Sequence, residues 1–284
     1  MSKSTQNKVK VVIGGVTGRM GRAAVRAILE DPQLTLCGGF ASKGNPSCGE
    51  DLALLAGGGT ESTGILVSNE IKTCLAEVKP DVYLDFTKAG AADENVKVAF
   101  EHGVSPVVGT SGVTPELFER WSKISKESGV PGLVVPNFSL GAVLMMEFAK
   151  QAAKVFNQTE IVELHHVGKV DAPSGTAMYT LQKMAAQGDN FNPVVVQEKE
   201  LIPGSRGGKH DSGIRVHSMR LPGLISHQEV FFASEGELLT VRHDSFNTEC
   251  FTKGILLALK QVRTLGGFFI GLENLLPGLG GTGK

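Results

Sequence analysis

The stretch KVKVVIGGVTGRMGRAAVRAILEDPQLTLCGGF, Lys8–Phe40, decides the fold. Lys8–Gly14 is a short β-branched run closing on glycine, the pattern of a buried strand. From Gly18 to Glu30 the residues Met20, Ala24, Ala27 and Ile28 fall on one helical face, and Asp31-Pro32 stops the helix. Leu34–Phe40 reads as a second strand. Strand, turn, helix and strand make one crossover unit of a parallel sheet. The turn itself is Gly15-Val16-Thr17-Gly18-Arg19-Met20-Gly21, a G-x-x-G-x-x-G variant of the dinucleotide fingerprint. Its glycines let the backbone turn tightly and approach a pyrophosphate, while the helix N-terminus offers unbonded N–H groups and a positive dipole end. The chain holds 36 glycines, so the pattern alone is weak. A tight strand-to-helix turn without a ligand is the competing reading; the strand before and the helix after favour a cofactor.

The alternation continues outward. Ile65–Ser68, Val82–Phe86, Pro106–Gly109 and Leu133–Val135 read as strands, with helices predicted over Ala91–Glu101 and Pro115–Lys126. After Asn137 the pattern changes. A long apolar helix is predicted over Leu140–Phe156, then strands at Glu160–His166, Ile214–Met219, Gln228–Ala233 and Leu238–Arg242. Antiparallel pairing suits these, a helix over Ser174–Gln187 interrupts them, and a last helix covers Thr252–Leu265. The expected fold is therefore α/β: an N-terminal Rossmann-like doubly wound parallel sheet, plus a second α+β domain with a mainly antiparallel sheet. The predicted boundaries are 1–138 completed by 247–284, and 139–246.

The bulk composition narrows the function classes. A hydrophobic content of 41% is ordinary for a globular chain. A net charge of -1 with no basic run gives no sign of a nucleic-acid or anionic-membrane partner. The apolar runs fall short of the ~18 residues of a membrane helix. The polar start MSKSTQNKVK lacks a signal-peptide core, so the cytoplasm, or an organelle stroma after processing, is the expected compartment. Cys37, Cys48, Cys74 and Cys250 match no zinc or disulfide spacing and read as free thiols.

The end of the second strand separates the two nicotinamide cofactors. NAD readers usually carry an acid there. This chain has Phe40-Ala41-Ser42-Lys43. Ser42 can bond a 2′-phosphate, Lys43 can neutralise it, and Arg19 reaches the same region. NADPH is expected over NADH, with NADH use possible. The competing reading leaves Lys43 as a solvated loop charge.

The densest chemistry is ELHHVGKVDAPSGT, Glu163–Thr176. On a strand, Glu163 and His165 share one face while Leu164 and His166 share the other. Pro173 and Ser174 then open a helix whose N–H groups near Gly175 and Thr176, with Lys169 nearby, suit a carboxylate. A structural histidine pair, a metal pair and a nucleophilic Ser174 are the alternatives. No third ligand, H-E-x-x-H or G-x-S-x-G supports the last two, and acid–base chemistry with anion binding is the best match.

The run Glu163-Leu164-His165-His166-x-x-Lys169-x-Asp171-Ala172-Pro173-Ser174-Gly175-Thr176-Ala177 resembles the signature of the 4-hydroxy-tetrahydrodipicolinate (dihydrodipicolinate) reductase family. Its supporting segments follow in order: the GxxGRMG loop, Asp85-Phe86-Thr87, Gly109-Thr110-Ser111 and Val135-Pro136-Asn137-Phe138-Ser139. The resemblance spans nearly the whole chain. It implies hydride transfer from NAD(P)H to C4 of an unsaturated dicarboxylate ring and protonation at C3, in the diaminopimelate route to lysine. It implies an acid–base role for His165 and Lys169, and substrate contacts at His166, Gly175 and Thr176. For the cofactor it implies Gly15, Val16, Thr17, Gly18, Arg19 and Met20 around the pyrophosphate. Gly109, Thr110, Ser111, Val135, Pro136, Asn137 and Phe138 would line the nicotinamide side. No metal is implied. The expected partners are a small dicarboxylate and three further copies of the chain in a homotetramer built on the substrate domain's sheet, where Val230, Phe231 and Phe232 need a cover.

Two departures from the family's pattern stand out. Ala41 replaces an acid that many relatives place on the ribose. An arginine of many relatives is absent from DSFNTECFTK, Asp244–Lys253, where Arg242 is a candidate substitute. The tail after Glu273 carries no assigned role, and its end is expected to be disordered. Another Rossmann oxidoreductase would leave the histidine run unexplained, and a non-catalytic NAD(P)H sensor would bind cofactor but not pyridine-2,6-dicarboxylate.

Overall fold

A computed structural model describes residues 8–57 and 61–279. The first half alternates strand and helix: β1 Val9–Gly14, α1 Arg19–Glu30, β2 Leu34–Phe40, α2 Leu52–Ala56, β3 Val67–Ser68, α3 Ile71–Val78 and β4 Val82–Asp85. Then come α4 Ala89–Glu101, β5 Ser105–Val108, α5 Pro115–Ser128 and β6 Gly132–Val134. The second half runs α6 Leu140–Ala152, β7 Gln158–His165, α7 Gly175–Ala185, β8 Gly208–Lys209, β9 Arg215–Arg220, β10 Ser226–Ser234 and β11 Glu237–Ser245. It closes with α8 Thr252–Gln261 and β12 Phe268–Ile270. The chain divides into two compact units, residues 1–138 with 251–284, and residues 139–250.

The first unit is a seven-stranded sheet in the order β12-β6-β5-β4-β1-β2-β3. Every pairing in it is parallel. The order reverses at β1, between β4 and β2, and a doubly wound sheet binds ligands outside the carboxyl ends of its strands at such a switch. Both faces are covered, so the strands read as continuous apolar runs: β4 and β5 are buried at every residue. One cluster joins Val12 and Tyr83 to Leu75 of α3 and Val98 of α4. Another joins Val134 and Phe268 to Val96 of α4 and Trp121 of α5. Trp121 also donates its indole N–H to Asp93 at 3.0 Å, which removes the cost of burying that donor. Thr114 caps α5 from its side chain and Pro115 fills the first turn, while Gly129 ends it in the left-handed region.

The second unit is a five-stranded sheet, β11-β10-β7-β9-β8. It is mainly antiparallel, but β7 and β9 run parallel, so the sheet is mixed. Strand β7 alternates strictly between buried and half-buried residues, the pattern of a strand with one face on a core. Ile161, Val230 and Phe232 pack there against Ala149 of α6 and Leu181 and Met184 of α7. Val230 and Phe232 are thus covered by the unit's own helices; of the three apolar residues expected to need a cover, only Phe231 is left half-buried on the opposite face.

Several boundaries differ from the sequence reading. Helix α6 stops at Ala152, where turn hydrogen bonds from Lys154 and Val155 replace the helical ladder. Strand β7 starts two residues earlier than expected and ends at His165. His166 therefore lies beyond the strand, in a turn closed by the Lys169 N–H on its carbonyl at 3.1 Å, and the alternate-face placement does not apply to it. Helices α2 and α3 and strands β8 and β12 were not anticipated. The sequence tail is described only to Leu279, and its final residues lie outside the described range.

Candidate functional site

In the first unit the glycine loop joins β1 to α1 at the switch point. Gly15 sits at φ +75, and a Cβ there would run into the Phe86 carbonyl. At Gly21 a Cβ would lie 2.7 Å from Cα of Val16. The first position thus needs left-handed backbone, and the second lets α1 sit directly on the loop. Gly18 caps α1 without a side-chain hydrogen bond, which leaves the first N–H groups for an anion. The loop is held from outside: Arg22 Nε donates to the Thr17 carbonyl at 3.1 Å, and Asn45 Nδ2 to Thr17 Oγ1 at 3.3 Å.

Beside the loop opens a cavity of about 550 Å³. Gly15, Thr17, Gly18 and Ser42 line it, as the sequence reading places them at the cofactor. Asn45, Glu70 and Lys88 line it as well, though no motif singles them out. Val16 is buried with its side chain toward Gly39, so only its backbone is available to a ligand. Arg19 and Lys43 are exposed and Met20 is half-buried; none of the three lines the cavity. The residues present fit a dinucleotide: a loop whose Gly15, Gly18 and Gly21 carry no Cβ, a helix start without a side-chain cap and a cleft of suitable size lined by both apolar and polar groups.

The other expected cofactor segments end β5 and β6. Gly109 lies where a Cβ would meet the rings of Phe86 and Phe138. Thr110 is buried, and its hydroxyl donates to Asp85 Oδ1 at 2.7 Å. Asp85 is itself buried and accepts from Tyr83 Oη at 2.6 Å and from the Thr87 N–H at 2.8 Å. The Thr110 side chain is therefore committed to the Asp85 cluster. Burial first, then the Asp85 charge and the hydrogen bond to it, push the Tyr83 phenol far above its ordinary value. Ser111 and Pro136 are exposed, Val135 and Phe138 buried, and Asn137 half-buried.

In the second unit the histidine run forms a dense polar cluster around the end of β7. His165 is 7% exposed and Glu163 fully buried, both on the same face of β7. His165 Nδ1 lies 2.5 Å from Glu163 Oε2. Arg220, which faces His165 across the β7–β9 register, grips the same carboxylate with both terminal nitrogens, at 3.0 and 2.8 Å. The Ser174 N–H adds a contact to Oε1 at 3.3 Å. Burial alone would raise the Glu163 carboxyl, but the bonds from His165, Arg220 and Ser218 outweigh it and hold it at about 2.

The loop after β7 is tied to this cluster, since Arg220 also donates to the Asp171 carbonyl at 2.8 Å. Lys169 Nζ meets Asp171 Oδ1 at 2.6 Å, and that bond holds the aspartate below its usual range. Ser174 caps α7 by accepting from the Ala177 N–H at 3.1 Å. Gly175 is exposed and Thr176 half-buried in the first turn. His166 is exposed, and its ring lies over Gly168. His165, Lys169, Gly175 and Thr176 are thus gathered on one strand end, one loop and one helix start. Arg220 was missed, because nothing in sequence links it to Glu163 57 residues away. Arg242, the candidate substitute for the absent arginine, is committed elsewhere: its guanidinium pairs with Glu229 of β10 and Asp244 of β11. Among the described residues no group of three His, Cys, Asp or Glu is placed to hold a metal, and no helix is long and apolar enough to cross a membrane.

A doubly wound sheet with a glycine-loop cleft, followed by a separate unit carrying a buried His165–Glu163–Arg220 cluster beside a helix start, is the frame of a NAD(P)H-dependent oxidoreductase of the Rossmann type. Models of the dihydrodipicolinate reductase N-terminus and C-terminus match residues 9–138 and 141–276. The chain belongs to the dihydrodipicolinate reductase family. The 4-hydroxy-tetrahydrodipicolinate reductase of Synechococcus elongatus is 43% identical over 270 residues, 94% of this chain and 98% of that protein. The enzyme of the same name from Moorella thermoacetica is 42% identical over 269 residues, again 94% and 98%. The solved structure of a dipicolinate-bound dihydrodipicolinate reductase from a Paenisporosarcina species shares 37% identity at a TM-score of 0.83, covering 95% of this chain and 100% of that one. An amine dehydrogenase of Mycobacterium smegmatis shares the fold alone, at 17% identity and a TM-score of 0.64 over 95% of this chain and 96% of its own.

Proposed function

We propose that this chain reduces 4-hydroxy-tetrahydrodipicolinate to tetrahydrodipicolinate in the diaminopimelate route to lysine, with NADPH preferred over NADH. The observation that carries the reading is the His165–Lys169–Gly175–Thr176 constellation, in a chain whose residues 9–138 and 141–276 match the two family models. Bound NADPH supplies the hydride for C4 of the ring. The chain's own groups manage charge and protons. His165 at the end of β7 and Lys169 in the turn after it are suited to offset the enamine charge and to deliver the proton to C3. The N–H groups of Gly175 and Thr176, at the positive end of α7, take a ring carboxylate, and His166 takes a further substrate contact. Dipicolinate in the Paenisporosarcina structure supports a planar dicarboxylate as ligand class.

For the cofactor, the Gly15–Met20 loop receives the pyrophosphate. Gly109, Thr110, Ser111 and Val135 to Phe138 line the nicotinamide side. Ser42 and Lys43 read the 2′-phosphate; the absence of an acid at Ala41 supports that preference. The working form is a homotetramer in the cytoplasm, joined through the outer face of the second unit's sheet. Exposed Leu238 and half-buried Phe231 support a cover there.

The test couples the purified protein to dihydrodipicolinate synthase with pyruvate and aspartate semialdehyde. Loss of reduced-nicotinamide absorbance that depends on the synthase product is the expected result, faster with NADPH than with NADH. No oxidation by folded protein would reject the assignment, and equal rates would reject the preference.

A further inference from the structure

We infer that Glu163, braced by Arg220, is a positioning residue: it fixes the Nδ1 proton of His165 and leaves Nε2 as the nitrogen that exchanges a proton with substrate. The inference rests on the reductase reading for what His165 does, but its geometry stands independently. Glu163 sits on the central strand β7, fully buried, two residues before His165 and on the same face. One carboxylate oxygen lies 2.5 Å from Nδ1 of the ring. An acceptor on Nδ1 selects the tautomer with the proton there, so Nε2 carries the lone pair in the neutral ring and the mobile proton in the charged one.

A carboxylate placed this deep must be paired to stay ionised. Arg220 meets this need with a two-toothed grip from β9, and the Ser174 N–H adds a third support from the α7 cap. The same guanidinium holds the Asp171 carbonyl. One arginine therefore sets both the orienting anion and the loop that carries Lys169. Nucleophile-and-base systems elsewhere use a third group in this way, to orient an imidazole and stabilise its charged form.

The test is Glu163→Gln, read three ways. The amide keeps the shape but can donate to Nδ1, which inverts the tautomer. Ring-nitrogen NMR of His165, assigned by loss of its signal in His165→Gln, is expected to show the Nδ1–H form in the wild type and the Nε2–H form in the variant. The kcat is expected to fall about 100-fold, with KM and the dissociation constant for pyridine-2,6-dicarboxylate changed less than three-fold. The pH limb of kcat that disappears in His165→Gln is expected to move to lower pH, because an imidazolium without its anion loses its proton more readily. An unchanged tautomer with an unchanged pH limb would overturn the inference. Should Glu163→Gln not fold, Glu163→Asp keeps the charge against Arg220 but draws it back from Nδ1. A ten-fold loss of kcat with exposure of the Nδ1 proton to exchange is then expected, and wild-type kcat and exchange would overturn the inference. The NMR readout needs no turnover, so a wild type inactive on the synthase product would reject the reductase assignment and leave the orientation of His165 to be decided separately.

Discussion

At the residue scale the site is governed by which charges can be kept buried. Glu163 has a folded value of about 2 against an ordinary 4.5. A carboxyl depressed on folding contributes stability that is fully present above its unfolded value and is lost as pH falls through the folded one. Stability is therefore expected to decline as pH drops from about 4.5 toward 2, and denaturant melts of Glu163→Gln should lack that component. Gly175→Pro removes one of the two N–H groups at a first helical position that tolerates proline, and is expected to weaken pyridine-2,6-dicarboxylate about ten-fold while sparing NADPH binding; an unaltered inhibition constant would count against the carboxylate site. Lys43→Ala should raise KM for NADPH several-fold more than KM for NADH, and equal loss with both would remove Lys43 from the 2′-phosphate. The proposed acid–base pair is legible in sequence because both members lie in one short run. Arg220 was not, because the strand pairing that places it opposite His165 is a tertiary fact. Thr110 shows the converse: its place in a family motif points to the cofactor, while its hydroxyl is spent on the buried Asp85.

At the element scale, legibility follows length and periodicity. Helix α5 spans the predicted core of Pro115–Lys126 because its cap, its Pro115 and its closing Gly129 are all local signals. Helix α3 escaped notice though Ile71, Cys74 and Leu75 are buried at helical spacing, because its cap Glu70 makes no side-chain capping bond and the helix has only eight residues. Strand β12 is three residues, Phe268–Ile270, beside a glycine pair, too short for a period to show. Two element-level outcomes follow. Gly21→Ala would place a Cβ 2.7 Å from the Val16 backbone and push α1 off the glycine loop. A cost of about 1–3 kcal/mol in a denaturant titration is expected, with weaker NADPH binding; wild-type stability and affinity would contradict the packing argument. Trp121→Ala in α5 removes a fully buried ring and leaves Asp93 short of a donor, for an expected loss of about 3–5 kcal/mol.

At the scale of the whole molecule the chain leaves the first unit at Phe138 and returns to it at Phe251. The alternating strands and helices before Asn137, and the change of pattern after it, made both fold classes readable. The parallel pairing of β7 with β9 was not readable, since strand direction is set by the long connection through α7 and β8 rather than by any local motif. The returning segment is structural: Ile255, Ala258 and Leu259 of α8 are buried, and β12 forms the sheet edge on β6. Truncation after Cys250 is therefore expected to abolish NADPH binding by fluorescence titration, even though the glycine loop and its cavity lie wholly before residue 138. A truncated chain that bound NADPH normally would show the first unit to be complete without its return.

The reaction proposed for this chain is hydride transfer from NADPH to C4 of the dicarboxylate ring. It is tested most directly with NADPH deuterated at the transferring position of C4, in the synthase-coupled reaction, with the product read by NMR and mass spectrometry. One deuterium at ring C4 of tetrahydrodipicolinate, with the C3 proton drawn from solvent, is the predicted result. A product without deuterium, or reduced cofactor left intact beside synthase product and folded protein, would contradict the account.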